Sequence, residues 1–177
     1  EANLGTNASL ADTDGDGISD GDEVNGHHTY EQISGSFSWT AAKADAESRG
    51  GYLATITSAS ENSAAYSVAS TGDFIGGTDS SQEGTWTWVT GEAFSYTNWN
   101  SGEPNNGSGN EDSLQFTTGG KWNDATPSSI NSYILERVSI TNPLQADTDG
   151  DGVNDPTEIS QGRDPNYVEL DRWTAVG

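Results

Sequence analysis

Hydrophobic and polar positions change period within residues 27–140, and the change sorts that stretch into helices first and short strands after. Trp39 to Arg49 is Ala-rich. Ser38 before it suits a helix N-cap, and Gly50-Gly51 stops it. Tyr52 to Ile56 reads as a short strand. Ser58 and Glu61 have the spacing of a capping box that opens a second helix to about Ala69. After Gly72 the helical period vanishes. Phe74-Ile75-Gly76, Thr85 to Val89, Leu114 to Phe116, Lys121-Trp122 and Ser132 to Val138 read as strands between Gly-, Asn-, Ser- and Pro-rich loops. The pattern predicts an α+β domain: two helices, then small sheets carrying a long loop region over about 77–112. A loop of that length in a compact domain is functional or disordered.

Outside this stretch one heptapeptide occurs twice. Ala11 to Gly17 and Ala146 to Gly152 both read ADTDGDG. The first copy continues so that Asp12, Asp14, Asp16, Asp20 and Glu23 fall on positions 1, 3, 5, 9 and 12 of a twelve-residue loop. Ile18 supplies the backbone carbonyl at position 7. Asp147, Asp149, Asp151, Val153, Asp155 and Glu158 repeat the set, and Gly17 and Gly152 take the sharp turn at position 6. Calcium takes about 6–8 oxygens, one carboxylate being bidentate at the end of such a loop. A solvated acidic run does not keep this register twice.

Charge adds to the picture. The chain carries 28 acidic and 6 basic residues, a formal net charge of −22. Self-repulsion on that scale destabilises a compact state unless cations neutralise it, and it repels nucleic acid phosphates. There are no cysteines, hence no disulfide framework and no thiolate chemistry. No apolar run of about 18 residues occurs, so membrane insertion is not expected. Six Trp, six Tyr and four Phe suffice for the core of one ordinary domain. Composition therefore favours a secreted or cell-surface calcium protein. The chain starts at Glu1 without a Met, as a fragment or mature segment would.

The flanks of the two loops also match. Thr6-Asn7-Ala8-Ser9-Leu10 aligns with Thr141-Asn142-Pro143-Leu144-Gln145, and Gly162 to Asn166 is a partial third echo. Glu23-Val24-Asn25-Gly26 closes the first unit, and the next unit starts only at Thr141. Residues 27–140 thus read as a domain inserted into a repeat array, giving units 1–26, 27–140 and 141–177, the last with the start of a further repeat in its Trp173-containing tail. The loops resemble thrombospondin type 3 repeats, calcium-stiffened spacers of many bacterial surface proteins. With little apolar content, each unit depends on its metal to fold. An insertion needs neighbouring termini, so Tyr30 to Ile33 and Ser132 to Val138 should lie side by side.

The inserted segment carries a second set of oxygen ligands. Glu103-Pro104-Asn105, Glu111-Asp112 and Trp122-Asn123-Asp124 stand in the long loop or just after it. Together with Trp39 to Ile56 and Phe74-Ile75-Gly76-Gly77, these motifs resemble the C-type lectin-like domain over essentially all of 28–138, which implies a fold of two helices, small antiparallel sheets and a long calcium-binding loop region, flanked here by the EF-hand-like calcium loops. The resemblance implies a calcium site of Glu103, Asn105, Glu111, Asn123 and Asp124, with a cis bond before Pro104. It also implies that two vicinal sugar hydroxyls complete the shell, contacted by the same side chains: carboxylates accept and amides donate. The Glu-Pro-Asn triplet is associated with equatorial 3,4-hydroxyls, as in mannose, glucose, N-acetylglucosamine and fucose-type sugars. Galactose-type members carry Gln-Pro-Asp.

An auxiliary calcium site maps to Asp79, Glu83, Asn106, Glu111 and Asp112, with Asn106 where an Asp is usual. The whole chain would then hold two calcium ions in the repeat loops and one or two in the lectin-like domain. Family members generally have two disulfides. The corresponding positions here are Ala46 with Leu135 and Ser113 with Pro127. Each lost crosslink forfeits about 2–4 kcal/mol, which leaves the long loops held mainly by calcium.

Other readings compete at particular residues. Trp39, Trp86, Trp88, Trp99 and Trp122 suit a sugar-stacking platform, but aromatics of small domains go chiefly to the core, with Trp99 open to either. His27 and His28, at the insertion junction, read as a solvated linker rather than as metal ligands. Glu103 and Glu111 have the composition of a glycosidase pair, yet shared ligation of one ion explains both and keeps them ionised. No enzyme is expected. The leading function is calcium-dependent glycan binding for adhesion or capture, within a larger chain of further repeats. A protein- or ice-binding lectin-like domain is the alternative, and a ligand-free spacer the third reading.

Overall fold

The computed structural model describes residues 11–166. The Thr6–Leu10 flank and the tail over 167–177 lie outside the described residues. Tyr30–Arg137 forms one compact unit, and the described residues before and after it form a second.

The larger unit is built on a seven-stranded sheet. Its strands are β1 (His27–Phe37), β2 (Tyr52–Leu53), β3 (Phe74–Thr78), β4 (Thr87–Trp88), β5 (Ser113–Thr117), β6 (Lys121–Ala125) and β7 (Asn131–Ser139). The order is β1-β7-β3-β5-β6, with β2 on β7 and β4 on β3. The first and last strands are neighbours, as an inserted domain requires. The small antiparallel sheets expected from the sequence are instead one mixed sheet, because β3 runs parallel to β7. His27 and His28 open β1 and are half-buried, so they are not a solvated linker.

Two helices pack on this sheet. In α2 (Trp39–Ser48) the Ser38 side chain accepts a hydrogen bond from the Ala41 amide, and Trp39, Ala42 and Ala46 are buried at helical spacing. In α3 (Ala59–Val68) Ser58 accepts from the Glu61 amide. The Glu61 carboxylate, however, accepts from the Thr57 amide at 2.6 Å, one residue ahead of the amide a capping box uses.

Both faces of the sheet are covered, which explains the continuous apolar runs in its central strands. Along β7, Tyr133 and Leu135 join a cluster with Ala46, Leu53, Phe74 and Trp39. Ile134, between them, joins Ile75, Leu114, Trp88 and Trp122 on the other side. Ala46 and Leu135 lie fully buried in one cluster, where the family has a crosslink. Ser113 is fully buried and pairs in register with Ala125, two residues before Pro127.

Trp122 organises the second cluster. Its ring lies 5.7 Å from Trp88, 5.6 Å from Tyr96 and 5.9 Å from Trp99. Trp99 therefore packs against the core edge, and all five tryptophans considered join the clusters (Trp39, Trp88, Trp122) or pack on the second one (Trp86, Trp99). The indole N–H of Trp122 donates to Asn62 Oδ1 at 2.8 Å, and Asn62 Nδ2 donates to the Gly120 carbonyl at 3.1 Å. This buried amide ties α3 to the turn that launches β6. Asn62→Ala is expected to cost about 1–3 kcal/mol, because it strands the buried Trp122 indole N–H, while the Gly120 carbonyl keeps Asn98 Nδ2 at 2.7 Å. Chemical denaturation checks this; an unchanged midpoint would contradict the role assigned to Asn62.

Candidate metal centres

Four chain segments converge beside the end of the sheet. Asn123 and Asp124 sit on β6, opposite Gln115 and Leu114 of β5. Glu111 and Asp112 immediately precede β5, Asp79 immediately follows β3, and the Glu103–Pro104 bond in the intervening loop is cis. Asp124, 1% exposed, accepts hydrogen bonds from the Asn105 amide at 3.2 Å and the Asn106 amide at 2.6 Å. It thereby pins the Glu-Pro-Asn turn to β6. Asn106 takes the left-handed conformation there, with φ of 46°. Asn105 Nδ2 donates to Glu103 Oε2, Gly107 N donates to Glu111 Oε2, and Asn123 Nδ2 donates to the Asp124 carbonyl. Asn106 Oδ1 accepts from the Glu111 amide at 3.2 Å, so that side chain already braces the loop.

The acids in this region act on one another. Burial, then the adjacent Asp124 carboxylate, pushes the Glu103 carboxyl up, against the lowering effect of Asn105. Burial pushes Asp79 up, with Asp112 and Asp124 adding to it. Glu83 is raised by burial and by Asp79, Asp112 and Asp124. The field of Asp124 thus reaches both candidate ion positions. Among the described residues no ion pair involves any of these acids.

The donor set fits a hard cation on observations independent of the motif. Asp79 is 2% exposed, and its Oδ2 accepts from Gly84 N at 2.8 Å while its Oδ1 has no donor. A buried carboxylate oxygen in that condition is costly without a cation. Gly107 leaves a cradle. A Cβ there would lie 2.8 Å from Glu111 Oε2 and 3.1 Å from Asn105 Oδ1, so two candidate ligands meet where only hydrogen fits. All the donors are oxygens, the preference of calcium.

The repeat loops share one internal design. Asp12 accepts from Gly15 N at 2.7 Å and Gly17 N at 3.0 Å; Asp147 accepts from Gly150 N and Gly152 N at 2.7 and 2.9 Å. Asp16 accepts from Ile18 N and Asp151 from Val153 N. Gly17 and Gly152 have φ of 103° and 96°, a conformation side chains rarely take. Carboxylate oxygens of Asp12, Asp14 and Asp16 lie within 4.8 Å of one another, as do those of Asp147, Asp149 and Asp151. No such acid triad forms in the lectin-like loop among the described residues, where two of the five candidates are amides.

Position 9 has a second job. Asp20 accepts from the Thr13 amide and hydroxyl, and Asp155 from those of Thr148. The sequence signal for this, Thr in both heptapeptides, was present but silent on its partner. Each Asp starts a short helix, α1 (Asp20–Asn25) or α4 (Asp155–Gln161), which carries the position-12 glutamate inward. Glu23 and Glu158 are fully buried. Glu23 Oε2 and both Glu158 oxygens lack hydrogen-bond donors, as do Oδ2 of Asp14, Asp16 and Asp149. Burial pushes the Glu23 and Glu158 carboxyls up to about 7, with neighbouring aspartates adding to the rise.

Comparison with known proteins follows the same lines. The family model of the lectin C-type domain matches residues 35–136, and that of the bacterial TSP3 repeat matches 12–29 and 147–166. The chain belongs to the lectin C-type domain family. A hepatic lectin of Gallus gallus is 39% identical over 103 residues, covering 56% of this chain and 50% of that relative. The chain thus spans about half of that relative's length.

Among solved structures, the carbohydrate-recognition domain of cow CD23 superposes with a TM-score of 0.61 at 30% identity, over 63% of this chain and 88% of that one. The mouse scavenger receptor C-type lectin domain gives 0.58 at 32%, over 63% and 90%. A calcium-independent type II antifreeze protein, at 0.60 and 23% identity over 64% and 88%, shares the fold. Members of the C-type lectin family are generally carbohydrate-binding proteins rather than enzymes, and both matched families generally bind calcium. No helix among the described residues is long and apolar enough to cross a membrane.

The raised glutamates give a signed prediction. Their folded pKa of about 7 exceeds the ordinary value near 4.5, so without metal the folded form binds more protons between those values. Stability in chelator should then rise as pH falls from about 7.5 to 5.5. With saturating calcium the trend should reverse, because protons compete for the ligands. Differential scanning calorimetry across that range tests both limbs; parallel trends with and without calcium would refute the account.

Proposed function

We propose that this protein is a calcium-dependent carbohydrate-binding module of a secreted or cell-surface protein, serving adhesion or glycan capture. Glu103, Asn105, Glu111, Asn123 and Asp124 hold the ion at the sugar site, and Asp79, Glu83, Asn106, Glu111 and Asp112 hold an auxiliary ion. Calcium, when bound, offers two coordination positions to vicinal hydroxyls of a mannose-, glucose-, N-acetylglucosamine- or fucose-type sugar. The chain's own side chains fix orientation. The Glu103 and Glu111 carboxylates accept hydrogen bonds from the coordinated hydroxyls, and the Asn105 and Asn123 amides donate to them. Asp124, held by two backbone amides, sets the height of the Glu-Pro-Asn turn over β6.

One observation carries the reading. Acids and amides from three segments meet around Asp124 with no basic side chain paired to them among the described residues. A calcium-ligating Glu103 stands among other oxygen donors. Here it shares its surroundings with Asp124 and Asn105, as a ligand does.

The repeat loops hold two further ions and belong to a longer array of such units. Glycan-array binding in calcium is expected to vanish in chelator; binding that persisted would favour a protein- or ice-binding role. The double substitution Glu103→Gln with Asn105→Asp should lower mannose-type signals and raise galactose-type ones. An unaltered sugar profile would contradict the assignment of these two ligands.

A further inference from the structure

The sequence gives each repeat loop its own ligands, yet the fold brings a carboxylate of the second loop to the first. Asp16, Glu23 and Asp155 each place an oxygen within 4.8 Å of the others, although the whole inserted domain separates Glu23 from Asp155 in the chain. Glu23 and Asp155 are both fully buried. Glu23 Oε1 accepts from the Thr141 hydroxyl at 3.0 Å, while its Oε2 and Asp16 Oδ2 are buried without a donor. The glutamate is therefore fixed from one side and left with an oxygen for the cluster. Asp155 accepts from Thr148 N and Oγ1 at 2.8 and 2.6 Å. Each carboxylate oxygen keeps a second lone pair, so this capping role leaves ligand capacity intact.

The two loops are not equivalent in charge. Arg163 lies 3.1 Å from Asp151 and 3.7 Å from Glu158, supplying a cation to the second loop. Among the described residues no ion pair reaches Asp16 or Glu23, and no mirror cluster joins Asp20 to Asp151 and Glu158.

We propose that one calcium ion is held jointly by Asp16, Glu23 and Asp155, so that the repeats on either side of the insertion form a single metal-clasped pair. The proposal rests on reading the loops as calcium sites. The ion in the first loop then depends on a residue of the second, and calcium loss at this position uncouples the two chain segments that enter and leave the inserted domain.

Site-resolved calcium titration of the whole chain by NMR tests this. The Gly17 amide reports the first loop and the Gly152 amide the second, since each donates to the position-1 aspartate of its loop. Asp155→Asn should raise the calcium concentration that half-saturates Gly17 by about tenfold or more, because ligand charge sets affinity in such loops. Asp151→Asn should silence Gly152 and leave the Gly17 midpoint within about twofold. Thr148→Val, which removes a capping donor but keeps the Asp155 carboxylate, should also leave Gly17 within about twofold.

A Gly17 midpoint untouched by Asp155→Asn would overturn the shared site. So would equal shifts with Asp151→Asn or Thr148→Val, which would mean that the second repeat matters only as a folded support. If neither amide of the unsubstituted chain responds to calcium, the reading of the loops themselves fails, a different result from either.

Discussion

Carboxylates crowded together without basic partners are the constraint on which this structure turns. Two like charges about 5 Å apart repel by roughly 3 kcal/mol at an effective dielectric near 20, and triads lie within 4.8 Å in both repeat loops. The chain has 28 acids against 6 bases. Four of those bases are spent on ion pairs with Glu47, Asp45, Glu31 and the second loop's Asp151 and Glu158. The buried oxygens of Asp14, Asp16, Glu23, Asp79 and Asp149 consequently have neither donor nor counter-charge among the described residues. A hard divalent cation resolves both deficits at once, since it takes many oxygens and neutralises them.

The lectin-type scaffold sets where that cation can sit. A sheet covered on both faces fixes β3, β5 and β6 relative to one another; Asn123 and Asp124 lie on β6, Asp79, Glu111 and Asp112 next to the ends of β3 and β5, and Glu83, Glu103, Asn105 and Asn106 in the loops between. Apolar packing of Ala46 with Leu135 stands where the family places one crosslink. Ser113 and Pro127 stand at the other, and Ser113 Oγ is buried without a hydrogen-bond partner. The long loop is then tied by hydrogen bonds to two acids, Asp124 and Glu111, which the ion itself would order.

Much of this was legible in the chain. The caps at Ser38 and Ser58, the helices they open and the oxygen-ligand spacing follow from local chemistry, and the neighbouring first and last strands from the demand an insertion places on its termini. What escaped was set by tertiary contact. The strand expected over Tyr52 to Ile56 ends at Leu53, and Thr55 gives its amide to the buried Glu136 carboxylate at 2.8 Å rather than to a neighbouring strand. The strand expected over Thr85 to Val89 contracts to Thr87–Trp88 because the Thr85 amide closes a turn on Gln82. The parallel pairing of β3 with β7 joins segments far apart in sequence. Repeat alignment compares Asp20 with Asp155 but is blind to their different neighbours in space, so the approach of Asp155 to Glu23 was invisible.

The central claim is that an ion seated among Glu103, Asn105, Glu111, Asn123 and Asp124 presents open coordination to a sugar. A crystal structure of the calcium-saturated chain soaked with a mannose-type disaccharide measures this directly. The account predicts anomalous density among those five side chains with two vicinal hydroxyl oxygens bound to it. A site without metal at saturating calcium, or an ion whose remaining positions are filled by the protein's own atoms, would contradict it.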